Sequence, residues 1–161
     1  MKNKLKLLVL VDLDGTCADM KWRHDLAGKE PNKKNWAKYK KWLIKIQSQK
    51  MILKDRSIPG MREMCILFKE HAVYLTARNE MYRKVTNQWL KKNKYPALKL
   101  YMRPRGNRLA AGTFKEQQIL NILHSSKGFV HVVILDDDQK KDIALAAKKN
   151  GWTILKALSG S

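Results

Sequence analysis

Four short, nearly continuous apolar runs, helical patterns between them and the absence of any internal repeat predict an α/β fold. The expected architecture is a three-layer sandwich around a central parallel sheet, because strands covered on both faces lose the polar–apolar alternation of half-exposed ones. The runs lie at Lys6–Val11, 73–76, 98–102 and 130–135, with a weaker fifth at 153–155. Between them, Pro59 can open a helix carrying Met61, Met64, Cys65 and Phe68 on one side. Asn79 can cap a second helix, running to about Lys92, with Tyr82, Val85, Trp89 and Leu90 apolar. Thr113-Phe114-Lys115-Glu116 has the pattern of a capping box ahead of Ile119, Leu120, Ile122 and Leu123. A last helix is expected from about 139 to 150, with Gly151 at its C-terminal cap.

One segment breaks the alternation. Residues 17–57 stand between the first strand and the next strand–helix pair. Within them Trp36, Tyr39, Leu43 and Ile46 recur at helical spacing, surrounded by Lys33, Lys34, Lys38, Lys40, Lys41 and Lys45. The reading is one domain over 1–161 with a small, basic, cap-like helical insert at 17–57, forming one wall over the strand tips.

The 161 residues suit a single core, and 44% apolar content suits a globular chain rather than a disordered one. Lys and Arg number 34 against 14 Asp and Glu, a net charge of +20. Such a balance reads either as a solubilising coat or, better, as a match for a polyanionic partner, nucleic acid above all. Cys17 and Cys65 supply neither a disulfide framework nor a metal-binding spacing. No apolar run approaches the ~20 residues a membrane span requires, and the basic start lacks a signal core, so no membrane partner and a cytoplasmic setting are expected.

The chemistry is concentrated where ligands bind in parallel sheets, at the carboxyl ends of the strands. After the first run come Asp12, Asp14 and Thr16. After the second come Thr76, Ala77 and Arg78. After the third come Arg103, Arg105 and Arg108, followed by Lys115 near a helix start. After the fourth come Asp136, Asp137 and Asp138. Carboxylates gathered so closely raise one another's pKa values unless a cation compensates. Mg²⁺, which takes one or two carboxylates and bridges to substrate phosphate, fits such a set. The donors on Thr76, Lys115 and the arginines suit phosphate oxygens, which points to phosphoryl transfer.

The order Asp-x-Asp, Thr, Lys, Asp-Asp, each at its own element end, resembles the haloacid dehalogenase-like phosphohydrolase superfamily over about residues 5–155. The resemblance implies a Rossmann-like fold, Asp12 as nucleophile through an aspartyl-phosphate, and Asp14 as general acid and base. It implies Thr76 and Lys115 as holders of the phosphoryl group. Mg²⁺ would be bound by Asp12, the Asp14 backbone carbonyl and Asp137 or Asp136. The run Asp12–Asp19, with Arg23-His24, Leu75-Thr76-Ala77-Arg78 and Met102-Arg103-Pro104, is similar more narrowly to the 3′-phosphatase domains of phage polynucleotide kinase-phosphatases. That implies substrate contacts at Thr16, Arg23, Ala77, Arg78 and Arg103, and 3′-phosphorylated nucleic-acid ends or nucleotides as partners. The chain departs from this pattern at Cys17, at Asp138 and in the uncharged Ala111-Gly112-Thr113. No phosphate-binding Gly-x-x-x-x-Gly-Lys loop occurs, so any kinase or ligase partner would be a separate protein.

Three functions follow. A polynucleotide 3′-phosphatase comes first, with Trp22, Trp36, Tyr39 and Trp42 available to stack on bases. A nucleotidase or broad phosphomonoesterase is the alternative. A catalytically dead nucleic-acid-binding protein is the minor one, opposed by the intact Asp12, Asp14, Thr76 and Lys115.

Overall fold

The computed structural model describes residues 6–125, 130–137 and 142–156. In chain order the elements are β1 (Lys6–Val11), β2 (Ala18–Asp19), α1 (Lys21–Ala27), α2 (Trp36–Ile46), α3 (Gln49–Lys54) and β3 (Arg56–Ser57). Then follow α4 (Met61–Leu67), β4 (Ala72–Asn79), a 3₁₀ turn (Glu80–Tyr82), α5 (Arg83–Lys92) and β5 (Leu100–Arg103). The chain closes with α6 (Ala111–His124), β6 (Val130–Asp136), α7 (Asp142–Asn150) and β7 (Thr153–Lys156).

Five strands form one parallel sheet in the order β5-β4-β1-β6-β7, so the strand that leads into Asp12 lies at its centre. Its side chains divide between two cores. Val9 and Val11 join Ala72, Tyr74, Val85 and Trp89 on one face, while Leu8 and Leu10 join Phe114, Ile119, Ile143 and Ala147 on the other. Continuous hydrophobicity in β1 is thus the signature of a strand sealed on both sides, and the expected three layers are present.

Two expectations need correction. The helix bearing Lys115 begins at Ala111 after a non-capping Ala110, so Thr113 lies in its first turn and forms no capping box. Asn79 does cap, but its side chain accepts from the Met81 amide and opens the 3₁₀ turn, and α5 begins only at Arg83. The beginning of the last helix, 139–141, lies outside the described residues.

The segment after β1 holds three helices rather than one. Its two ends meet in the short antiparallel pair β2–β3, with Ala18 opposite Ser57 and Asp19 opposite Arg56. A second tie comes from Arg23, whose Nη1 donates to the Ile46 carbonyl at the C-terminus of α2. There the cation meets the negative end of the helix dipole and an orphan carbonyl together.

Candidate active site

The site is built on the turn that follows β1. Leu13 is fully buried, and its carbonyl accepts from the amides of Cys17 and Ala18, so the chain folds back on itself immediately after Asp12. Gly15 occupies the left-handed region at φ +83°, and a Cβ there would lie 2.2 Å from Asp137 Oδ2. Glycine therefore serves both the turn and the close approach of the acid just past the neighbouring strand β6. Thr16 completes the join: its Oγ1 accepts from the Asp137 amide at 3.0 Å.

Asp12, at the tip of the central strand, is 7% exposed. Lys115, 7% exposed and projecting from α6, places Nζ 3.0 Å from Asp12 Oδ1 and 2.6 Å from Asp136 Oδ2. Burial alone would pull the Lys115 pKa down, but the two carboxylates outweigh it and hold the ammonium above the ordinary lysine value. Burial pushes the Asp12 carboxyl well up; Lys115 opposes this, while Asp136 and Asp14 add to it. Asp12, Asp136 and Asp137 each offer a carboxylate oxygen, and these atoms lie within 4.8 Å of one another. Three hard oxygen donors so grouped suit a divalent cation such as Mg²⁺. The carboxylate of Asp14 is not in that group, and Asp138 lies outside the described residues.

Asp14 faces the other way. Arg78 Nε donates to both of its oxygens at 2.9 Å, and Arg23 Nη2 lies 3.4 Å from Oδ1. Burial pulls the Asp14 pKa up, but the Arg78 charge and hydrogen bonds prevail and hold it below the ordinary value. Arg78 gets there because β4 shifts register between Thr76 and Asn79, an irregularity that re-aims side chains. Thr76, fully buried, accepts from the Arg78 amide through Oγ1 at 3.2 Å.

Both arginines expected to meet substrate, Arg23 and Arg78, are buried to 1% or less and are engaged within the protein. The residue that engages them went unrecognised in the sequence. Asp55, at the C-terminal cap of α3, accepts from Arg23 Nε at 2.7 Å and from Arg23 Nη2, and lies 3.6 Å from Arg78 Nη2. Trp22 Nε1 also donates to it at 3.1 Å. No sequence signal marks it, because the burial of the two guanidinium groups that require a second carboxylate arises only in the fold.

A cleft of about 770 Å³ reaches the acid cluster at Lys115 and Asp136. Its lining includes Ala77, Lys115 and Asp136, Trp36, Tyr39 and Lys40 of α2, Arg103 at the end of β5, and Asn107 and Arg108 of the β5–α6 loop. Arg103 stacks over Phe114 with 5.4 Å between the guanidinium carbon and the ring centroid, and its Nη1 donates to the Leu109 carbonyl at 2.8 Å. The structure thus brings Asp12, Asp136, Asp137 and Lys115 together, ties Asp14 to Arg23 and Arg78, and sets Ala77 and Arg103 along the cleft. Thr16 acts within the turn. No helix among the described residues is long and apolar enough to cross a membrane.

Comparison with known proteins yields no matching family model and no match among curated proteins. Solved structures match throughout. A chain of a Pnkp1/Rnl/Hen1 complex aligns with a TM-score of 0.70 and 18% identity over 99% of this chain and 48% of its own length. A haloacid dehalogenase-like hydrolase from Streptococcus pneumoniae aligns at TM-score 0.58 and 12% identity, over 94% and 84% of the two chains. The class C acid phosphatase of Bacillus anthracis gives 0.59 and 12%, over 99% and 70%. This chain therefore spans about half the length of the Pnkp1-complex chain that it matches. The fold is that of the haloacid dehalogenase-like phosphohydrolases.

Proposed function

We propose that this chain is a Mg²⁺-dependent phosphatase that removes 3′-phosphates from nucleic-acid ends. The observation that carries the reading is the placement of two carboxylates with different partners at the tip of the central strand. Asp12 is held by Lys115 beside two further acids, and Asp14 is held by Arg78. One group is placed to attack and its neighbour to move a proton, the division of labour that acid–base chemistry on a phosphate ester needs.

Asp12 Oδ attacks phosphorus and the ester P–O bond breaks; Asp14, ionised beside Arg78 in the free protein, must first take up a proton as substrate binds in order to give it to the departing oxygen. Asp14 then takes a proton from water, whose oxygen attacks the aspartyl-phosphate phosphorus and regenerates Asp12 with release of inorganic phosphate. Lys115 and Thr76 hold the phosphoryl oxygens. Mg²⁺, held by Asp12, Asp136 or Asp137 and the Asp14 backbone carbonyl, would offset the charge on the phosphoryl group. Arg103 and Ala77, which line the cleft, contact the substrate beyond the reacting phosphate, the buried Arg23 and Arg78 position Asp14, and Thr16 fixes the turn on which Asp14 sits.

A net charge of +20 supports a polymeric substrate, since each neutralised backbone phosphate adds salt-dependent affinity. A similarly folded chain belongs to an RNA repair complex, which supports end processing with separate partner enzymes. The cleft, about 770 Å³, lies within the ~300–1,000 Å³ typical of small-molecule sites, which keeps a nucleotidase or small-molecule phosphomonoesterase as the second reading.

The test is phosphate release from matched oligonucleotides bearing a 3′- or a 5′-phosphate, with and without Mg²⁺, beside Asp12→Asn. Mg²⁺-dependent release from the 3′ end alone, abolished in Asp12→Asn, is the expected result. Release confined to mononucleotides or simple esters would replace the polynucleotide reading with the second one.

A further inference from the structure

Two of the insert's aromatic residues have structural partners. Trp42 is 6% exposed and donates from Nε1 to the Gly28 carbonyl at 2.9 Å; Trp22 bonds Asp55. The other two differ. Trp36, at the first position of α2, is 49% exposed, and Tyr39 one turn on is half-buried. Their rings lie 5.9 Å apart, and Tyr39 stacks in turn on Trp42 at 6.0 Å with 23° between planes. This is a ladder anchored at its buried end by Trp42 and open at its Trp36 end. Both Trp36 and Tyr39 line the cleft that Lys115 and Asp136 also line.

The ladder is flanked by cations. Lys33, Lys40 and Arg108 line the same cleft. Lys33 Nζ sits 5.7 Å from the Tyr39 ring centroid, with a loose 3.8 Å pairing to Glu30. Lys40 and Arg108 form no ion pair among the described residues. An exposed ring stack beside uncommitted cations is poorly explained by packing, because burial of Trp36 is only half complete. It matches what a single strand requires: a π-face for a base and point charges for the backbone.

We propose that this cleft is a track for single-stranded nucleic acid, in which Trp36 stacks a base near the terminal phosphate and Lys33, Lys40 and Arg108 hold the adjoining backbone. The proposal deepens the phosphatase reading and rests on it for the position of the terminal phosphate. A duplex is disfavoured because its base faces are already stacked on one another, leaving only the end pair for Trp36. The cap-like insert thereby acquires a role in choosing the substrate.

The test uses the full chain without Mg²⁺, so that binding is read apart from turnover. The probes are a short 3′-phosphorylated oligothymidylate, the equivalent oligouridylate and a blunt duplex, read by anisotropy and by tryptophan quenching at low salt. The single strands should bind tighter than the duplex and quench fluorescence. Trp36→Ala should weaken binding roughly 5- to 150-fold, the range for losing one stacked base, while Trp36→Phe retains most of it. Lys40→Ala and Arg108→Ala should each lower the salt slope by roughly 0.7–1. DNA and RNA strands binding alike would place recognition in base faces and phosphates; a large RNA preference would add a 2′-hydroxyl contact to the same track. Equal affinity for the duplex, or Trp36→Ala binding like the parent, would overturn the proposal. These readouts stand whether or not phosphate is released. Absence of Mg²⁺-dependent hydrolysis of any ester would instead defeat the phosphatase reading.

Discussion

Arg78 donates from Nε to both carboxylate oxygens of Asp14, at 2.9 Å each, while its Nη2 lies 3.6 Å from Asp55. One buried guanidinium thus joins an acid just past the central strand to an acid at the end of the insert. Arg23 makes the same connection from the other side, at 3.4 Å from Asp14 and bidentate to Asp55. The insert is therefore attached to the centre by charge as well as by the β2–β3 ladder.

Removing Asp55 should accordingly be costly. Asp55→Ala leaves Arg23, fully buried, without its main counter-charge, and breaking such a pair costs about 3–5 kcal/mol. At roughly 2–4 °C of Tm per kcal/mol for a chain of this size, thermal unfolding should show the loss clearly. The double variant Arg23→Met, Asp55→Leu should recover part of it, since apolar replacement of a whole buried pair is far less damaging than removing one partner. A single variant as stable as the parent would mean that water replaces Asp55 at no cost.

Why Asp55 was hidden while Asp12 was plain is a matter of range. β1 announces itself because its apolar run and the two acids at its tip are contiguous, and the layered parallel sheet follows from alternation with helices. Lys115 and Asp136 stood out by their places at element ends, and the 2.6 Å bond between them confirms that those ends converge. Asp55 belongs to no local pattern; it matters only because the insert folds back to bring it against residues 23 and 78. Thr113 misled for the opposite reason. Its capping pattern is local, but α6 starts earlier at Ala111, and Lys115 then faces Asp12 from the helix's first turns.

Asp12 and Asp14 should affect stability with opposite signs in metal-free protein. The Asp12 carboxyl is held well above the ordinary value near 3.8, so its ionised form is disfavoured by folding. Asp12→Asn should therefore be more stable than the parent at neutral pH, and the advantage should close as pH falls from the raised value toward 3.8. Asp14 is held below 3.8, so its ionised form stabilises the fold. Asp14→Asn should be less stable at neutral pH, and its deficit should persist down to about pH 3.8 and close only below it. Denaturant unfolding across pH, with chelator present, measures both gaps. Two gaps of the same sign would contradict the opposed electrostatic settings.

Gly15 should tolerate no side chain. In Gly15→Ala the added Cβ meets the Asp137 carboxylate at 2.2 Å and the backbone stays at φ +83°. Gly28→Ala provides the contrast: φ is +77°, but nothing lies within 4 Å of the new atom. Gly28→Ala should cost about 1 kcal/mol, the left-handed penalty alone. Gly15→Ala should cost more and should also weaken Mg²⁺ binding, because Asp137 must move. Equal destabilisation in the two variants would show that Asp137 shifts freely.

If Asp12, Asp136 and Asp137 hold Mg²⁺, the ion must stabilise the folded chain by mass action. A ligand at 100 times its Kd adds about 2.7 kcal/mol, so Tm should climb with Mg²⁺ concentration and reach several degrees. Asp137→Asn removes one of the three grouped carboxylates without touching the Lys115 bonds to Asp12 and Asp136. Its Tm in chelator should stay near that of the parent, while the rise on adding Mg²⁺ should need higher concentrations or vanish. Ca²⁺, with its longer bonds and looser geometry, should raise Tm without reproducing the concentration dependence of Mg²⁺. A Tm indifferent to Mg²⁺ in the parent would mean that the three acids do not form a site on their own. The substrate phosphate would then be needed to complete it, which a repeat titration with inorganic phosphate or vanadate would reveal.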